Sequence, residues 1–382
     1  MDFALTTTQT RYRDSARAYA QKCLAPKYRA RERRGSIEQE IRQGLGQLGL
    51  IAPEIPVHLG GQGVDRLTSG IITEEIARGD FNVAYLQVAG ALVGQLLAAN
   101  ARPDIASAWV PKICRGEEIV GIGLTEPHAG SDAGMPRLRA VLVGDVWVLN
   151  GEKSLSFAQT AAAVVVFART SQQEVRGKGI SAFLVPLDLP GVTREAYSDM
   201  GSRAVGRGAA HFTDVHIPAS HLLGEEGQGF TQVMQGFDFS RALIGLQCVG
   251  LAQVTLDETW AYVSQREAFD QPLSKFQGVS FPLAEAETML SAARLLCYQT
   301  LWFKDHGLPH TMQAAMCKWW VPKIAFEVVQ NCLLLHGQYG YRTDLPLEQR
   351  LRDVLALQIG DGTAQIMKLI IARRKLGRAL AP

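Results

Sequence analysis

Apolar positions recur at three- and four-residue spacing through 8–34, 67–78 and 82–100, and again from Pro103 onward. That spacing predicts amphipathic helices. From residue 121 the pattern changes to short runs rich in β-branched residues. The runs 137–143 and 146–149 flank Gly144-Asp145 and predict a hairpin on a type II′ turn. Further strands are predicted at 163–167, 180–185 and 211–217. Helical spacing returns in long stretches over 230–266, 278–304, 311–336 and 345–378, the last broken at 360–363. The order implies an α+β chain, mainly α, in three parts: a helical domain over 1–120, an antiparallel β domain over 121–229 and a helical domain over 230–382.

Local signatures refine the helical parts. Ser36 with Gln39 has the spacing of a capping box. Gly44-Leu-Gly-Gln-Leu-Gly49 has the glycine spacing of a dinucleotide fingerprint, but it follows a polar helical run where a strand is required. It reads as a helix end, and Gly60-Gly-Gln-Gly63 reads as a loop.

Composition narrows the class. Of the 382 residues, 47% are apolar and 20% charged, as in a soluble globular enzyme with more than one core. A net charge of +2 implies no polyanionic partner. The densest basic run, 29–34, reads as a solvated helix face. Six cysteines are scattered without a C-x-x-C pair, so reduced, mostly buried thiols are expected, with no metal site. The N-terminus has no basic-then-apolar segment, and the apolar zone 83–98 is short for a bilayer. A cytoplasmic protein without membrane or nucleic-acid partners is expected.

Candidate chemistry gathers at two places. Gly360-Asp361-Gly362-Thr363 puts one carboxylate on a bend between two helices, where the glycines permit unusual backbone angles. Either Asp361 is a catalytic carboxylate, or Asp361 or Thr363 is simply the N-cap of the last helix. Gly123-Leu-Thr-Glu-Pro-His-Ala-Gly-Ser-Asp132 is a turn-rich loop of small residues, whose amides and hydroxyls can approach a flat ring system.

These motifs resemble the acyl-CoA dehydrogenase family. The 123–132 loop is similar to its L-T-E-P-x-x-G-S-D signature at every fixed position. Ile359 to Thr363 and the basic apolar helix that follows resemble its C-terminus, with Asp361 where the family usually carries Glu. Asn150-Gly-Glu-Lys153 is similar to its N-G-x-K turn. The run from Gly201-Ser-Arg203 to Leu222-Leu-Gly-Glu-Glu-Gly-Gln-Gly229 resembles its approach to the last domain. Arg266-Glu-Ala-Phe-Asp-Gln-Pro-Leu-Ser-Lys-Phe-Gln277 resembles R-x-x-F-G-x-x-x-x-x-x-Q, and His336-Gly-Gln-Tyr-Gly-Tyr341 resembles its G-G-x-G-Y/F turn.

The resemblance implies a fold of helical, β and four-helix-bundle domains, FAD as cofactor, an acyl-CoA substrate and a homotetramer. It implies Asp361 as the base that takes an α-proton, with the β-hydrogen leaving as hydride to the flavin. Arg241 supports that carboxylate, or is a surface or interface arginine. Thr125 and the backbone at Leu124 face the flavin ring, while Ser131 and Gly362 touch the thioester. Arg266, Phe269 and Gln277 reach a neighbouring subunit's FAD, and Gln338 and Thr363 complete the cofactor contacts. An electron-transferring flavoprotein would take the electrons.

Several positions depart from the family pattern. Leu155, Ser156 and Phe157 replace Trp-Ile-Thr, so either Ser156 supplies the hydroxyl toward the flavin or that bond is lost. Asp270 replaces Gly, Leu334 replaces Gln, and Gln338 replaces Gly. Asp361 together with Lys153-Ser-Leu-Ser-Phe-Ala158 and Leu335-His-Gly-Gln-Tyr-Gly-Tyr341 resembles the branch that acts on cyclohexane-1-carboxyl-CoA. A short branched acyl-CoA, an acyl group on a carrier protein, and a non-dehydrogenating flavoprotein on the same scaffold stand as the other readings.

Overall fold

The computed structural model describes residues 3–173, 175–377 and 379–381. Its first part holds α1 (Thr7–Tyr19), α2 (Tyr28–Arg34), α3 (Gln39–Gln47), α4 (Arg66–Gly79), α5 (Phe81–Asn100) and α6 (Pro103–Cys114). The expected single helix over 8–34 is divided. A π-turn at Ala20–Leu24 and a 3-10 turn at Ala25–Lys27 interrupt it, the latter containing Pro26, which has no N–H for the helical ladder.

Two expectations in this part fail. The capping box at Ser36 and Gln39 does not form: Glu38 is the N-cap of α3, so Ser36 lies two residues before the cap. The box forms instead at α1, where Gln9 N donates to Thr6 Oγ1 at 3.2 Å and Thr6 N donates to Gln9 Oε1 at 3.0 Å. The basic run is not wholly a solvated face. Arg31 is fully buried and its Nε donates to Asp80 Oδ2 at 2.6 Å. Asp80 in turn caps α5 through Asn82 N and Val83 N.

A mixed sheet follows: β1 (Val120–Gly123), β2 (Arg139–Val143), β3 (Val146–Leu155), β4 (Ala163–Arg169), β5 (Ile180–Pro186), β6 (Val192–Ala196), β7 (Gly208–Pro218) and β8 (Leu222–Leu223). Its order is β6-β7-β3-β2-β4-β5-β8, with β1 alongside β4. Most pairings are antiparallel, but β1 and β2 each meet β4 in parallel. The expected hairpin joins β2 to β3, with Gly144 at φ +64°. The apolar run of β4 is buried at every residue, as for a central strand covered on both faces.

The last part comprises α7 (Gly229–Gln265), a small hairpin of β9 (Glu267–Ala268) and β10 (Gln271–Pro272), α8 (Gln277–Asp305), α9 (Thr311–Leu335), α10 (Leu347–Ala356) and α11 (Ala364–Leu376). The expected helix end at Arg378 lies outside the described residues. α7 packs on α8 and α9 within the bundle and on α4 and α5 across it, so the N-terminal helices and the bundle share one helical layer. Helices α5 and α7 are long and apolar enough to cross a membrane. In the fold 78% and 89% of their most apolar windows are buried against other protein, which accounts for their composition. The cysteines are free thiols, all buried except half-buried Cys23.

Candidate active site

The α10–α11 turn carries Asp361, half-buried, with its own backbone at φ +55°. Gly362 follows at φ +96°, where an added Cβ would lie 2.6 Å from Met367 Cε. The left-handed angles therefore fall on Asp361 and Gly362, while Gly360 stays outside that region. Asp tolerates this conformation better than most residues, because its short polar side chain bonds locally. Thr363 is the N-cap of α11, its Oγ1 accepting from Ile366 N at 3.4 Å. The capping role thus belongs to Thr363 and leaves the Asp361 carboxylate free for other work.

Two buried cations stand behind that carboxylate. Lys318 of α9 is fully buried, and its Nζ donates to the carbonyls of Leu357 at 2.5 Å and Gly362 at 3.1 Å. It therefore staples both sides of the turn. Arg241 of α7 is 4% exposed, so it is no surface arginine. It pairs with Asp238 at 3.1 Å, and its Nε is buried without a hydrogen-bond partner among the described residues. Burial pushes the Asp361 carboxyl above the ordinary carboxylate range, while Lys318 and Arg241 pull it back. Burial likewise pushes Lys318 down to about 8, opposed first by Asp361. A carboxylate raised by burial, yet facing cations that favour its ionised form, is suited to accept a proton from a weak acid.

The loop after β1 carries a second group of candidates. Thr125 and Ser131 are exposed, and Gly130 faces open space. Thr125 O accepts from Ser154 N at 2.8 Å. Beneath them Glu126 is buried in an ion pair with fully buried Lys153 at 2.7 Å, and Lys153 Nζ also donates to Leu124 O at 3.1 Å. Glu126 further accepts from the amides of Arg137 and Leu138. This latch ties the loop to β2 and β3. It holds the exposed hydroxyls of Thr125 and Ser131 on a rigid base.

Leu155 at the end of β3 and Phe157 just after it turn into the core, and Phe157 adopts φ +60°. Ser156 points the other way, and its Oγ donates to Tyr85 Oη at 3.4 Å. Arg266, Phe269 and Gln277 lie apart on the β9–β10 hairpin and the first turn of α8, all exposed, Phe269 at 89%. Phe269 and Asp270 have φ of +53° and +61°, so Asp270 occupies a backbone site that suits glycine. Gln338 is exposed on a 3-10 turn at Gly337–Tyr339. A half-buried carboxylate, the unpartnered Arg241 Nε, and the exposed hydroxyls and small residues of the 123–132 loop fit a flat, polar-edged cofactor with a substrate between it and Asp361.

Sequence reasoning missed Lys318, the Glu126–Lys153 pair and Tyr85. Lys318 had a signal: it shares core spacing with Ala314, Ala315, Val321 and Pro322, all buried, and a charge at a core position calls for a partner.

The family models described as acyl-CoA dehydrogenase N-terminal, middle and C-terminal domains match residues 6–117, 121–215 and 227–376. The chain belongs to the acyl-CoA dehydrogenase family, and it is an FAD-dependent oxidoreductase. It is 36% identical to the mitochondrial short-chain specific acyl-CoA dehydrogenase of Rattus norvegicus, over 96% of this chain and 90% of that one. The structure of butyryl-CoA dehydrogenase from Megasphaera elsdenii superposes with a TM-score of 0.95 at 31% identity, covering 98% of this chain and 100% of that one. A chain from a structure describing the electron transferring flavoprotein of Acidaminococcus fermentans and flavin-based electron bifurcation gives a TM-score of 0.95 at 32% identity, with coverage of 98% and 100%.

Proposed function

We propose that Asp361 takes the α-proton of an acyl-CoA thioester while the β-hydrogen leaves with its electron pair, forming the α,β-double bond. The observation that carries this is the placement of Asp361: half-buried on a left-handed turn, stapled from behind by Lys318 and facing the Arg241 charge. The bound FAD supplies the hydride acceptor. Thr125, the Leu124 backbone and Ser156 would face its ring, with Gln338 and Thr363 at its edge. Arg266, Phe269 and Gln277 would reach the cofactor of a neighbouring subunit in a homotetramer. Their exposure on one hairpin and helix start supports that reading. Ser131 and Gly362 would touch the thioester. The likeness to a chain in an electron transferring flavoprotein structure supports such a flavoprotein as acceptor.

The acyl group proposed is short and compact, with cyclohexane-1-carboxyl-CoA going to the cyclohex-1-ene thioester. Asp reaches roughly 1.5 Å less far than Glu, so the α-carbon must approach the turn more closely. Relatives named for short-chain and butyryl substrates support the short chain but not the ring. A short branched acyl-CoA such as isobutyryl-CoA satisfies the same geometry. The test is anaerobic bleaching of the yellow protein by cyclohexanecarboxyl-, isobutyryl-, butyryl- and octanoyl-CoA. Fastest bleaching by cyclohexanecarboxyl-CoA is expected, and a preference for butyryl- or octanoyl-CoA would overturn the alicyclic assignment.

A further inference from the structure

Strand β2 pairs with β3 along its whole length, but with β4 only at Arg139, opposite Arg169. There Leu138 O accepts from Arg169 N at 2.8 Å. Backbone groups alternate in direction along a strand, so the even-numbered residues of β2 turn theirs toward the β4 side. The hairpin then runs past the end of β4. Among the described residues no strand lies beside Leu142 on that side. The same stretch is apolar and exposed: Val141 at 57%, Leu142 at 48% and Val143 at 62%. Val141 lies opposite Val148, and Val143 opposite Val146. Successive side chains point to opposite faces of a sheet, so these four valines share the outer one. The inner face is anchored by Trp147, which is 4% exposed and meets Phe183 edge-on at 5.1 Å. The hairpin is therefore held at its inner face, with an open edge and an apolar outer face.

An open edge flanked by apolar side chains is a template for another strand, and the strand that complements it best is its own copy. Antiparallel pairing about a two-fold axis at Leu142 sets Leu142 against its copy, Val141 against Val143 and Arg139 against Asp145. Even-numbered residues then meet even-numbered ones, so outward amides face outward carbonyls as a ladder requires. Apolar side chains meet apolar ones, and Asp145, exposed in the hairpin turn, brings opposite charge to both ends. The carboxylate at the tip also argues against insertion of this hairpin into lipid. We propose that the β2–β3 hairpin is an interface between two copies of this chain, whose β2 strands pair antiparallel about Leu142. The contact lies in the β domain, apart from the β9–β10 hairpin, and it depends neither on the acyl group nor on a shared cofactor site.

The test is sedimentation velocity of purified holoenzyme over a range of concentrations. Val141→Lys with Val143→Lys sets like charges against each other in this register, a costly juxtaposition. It is expected to reduce the wild-type assembly to half its mass or less, with FAD content and the rate of flavin bleaching by butyryl-CoA unchanged. Val141→Lys with Val143→Glu sets opposite charges together and is expected to keep the wild-type mass at low salt. Leu142→Cys is expected to yield a covalent dimer on mild oxidation, since directly opposed residues of this kind stand about 5.5 Å apart at Cα. A wild type with the same mass as the double-lysine variant at every concentration overturns the proposal. So does equal dissociation of the two double variants, which would exclude the register, or a Leu142→Cys protein that stays uncross-linked. Dissociation accompanied by loss of FAD also overturns it, because the contact broken would then be the one that holds the cofactor.

Discussion

Lys318 Nζ donates to the carbonyl of Gly362 at 3.1 Å, one peptide beyond Asp361, and to Leu357 O at 2.5 Å on the near side of the same turn. One buried ammonium thus fixes the backbone from which the carboxylate projects. It also lowers the energy of the ionised carboxylate. Lys318→Met removes both effects at nearly constant volume. The Asp361 carboxyl should then titrate higher, so the acid limb of the pH profile for flavin reduction moves to higher pH. The loosened turn should lower kcat by on the order of 100-fold, as for a misplacement of about 1 Å. Lys318→Arg should recover part of the pH position. A Lys318→Met profile superimposable on that of the wild type would refute the link.

Asp361→Asn should bind acyl-CoA with near-normal affinity and lose most flavin reduction, by about 100-fold or more for removal of a general base. Stopped-flow bleaching at fixed pH separates binding from reduction. Asp361→Glu tests the length of the side chain. Glu must adopt φ +55° in place of Asp, a conformation that costs roughly 1–2 kcal/mol for ordinary residues, and its carboxylate stands further from the backbone. Slower turnover of compact substrates and a relative gain for straight chains are expected. Improved turnover of the compact substrates would show that the short side chain plays no part in selection.

Much of this arrangement was legible in the sequence, because the relevant signals are local. Helical spacing located α4 to α9 within a few residues, and Gly144-Asp145 marked its hairpin. Asp361 stands out in the sequence because glycines flank it, whereas Thr125 and Ser131 were singled out by the resemblance of their loop to the family signature. Other features depend on contacts distant in the chain. Arg31 reads as surface until Asp80 is placed against it, and Tyr85 reads as one more apolar position until the turn after β3 folds over α5. Parallel pairing of β1 with β4 likewise leaves no mark on either strand.

Glu126 and Lys153 form a buried pair at 2.7 Å beneath the 123–132 loop. Removing one partner strands the other charge, typically at a cost of about 3–5 kcal/mol. Glu126→Ala should therefore lower the urea midpoint markedly and weaken FAD retention, since the amides of Arg137 and Leu138 lose their acceptor as well. Retained stability together with normal FAD content would show that the latch does not hold the loop.

Phe269 is 89% exposed, and Arg266 beside it on the same hairpin is exposed too. An exposed aromatic in a left-handed conformation is an unfavourable surface feature unless something covers it. If a second subunit does so, Arg266→Ala with Phe269→Ala should reduce FAD content and shift the proposed tetramer toward smaller species by light scattering. The secondary structure should be unaffected. A double variant that remains a fully loaded tetramer would count against a shared cofactor site.

Asp353 gives a pH test of the joint between the N-terminal helices and the bundle. It is fully buried and accepts from Tyr28 Oη at 2.5 Å, Asn82 Nδ2 at 3.1 Å and Ser202 N at 2.5 Å. Burial pushes its carboxyl up to about 6, while the bonds from Tyr28 and Ser202 oppose the shift. A carboxyl whose folded value exceeds its unfolded value contributes stability that is fully present below the unfolded value, near 3.8, and is lost as pH rises through about 6. The full difference is on the order of 3 kcal/mol at 1.36 kcal/mol per unit. Asp353→Asn removes this titration and places an amide donor among three donors, so it should be less stable at every pH. The stability gap between wild type and variant should be widest near pH 4 and narrow by up to that amount toward pH 7. Urea midpoints across this range measure the gap, and shared contributions from Asp80 and the surface carboxylates largely cancel in the comparison. A gap that widens toward pH 7 would mean that Asp353 is held ionised in the fold, and that the joint draws its strength from the charge rather than from the hydrogen bonds around a neutral acid.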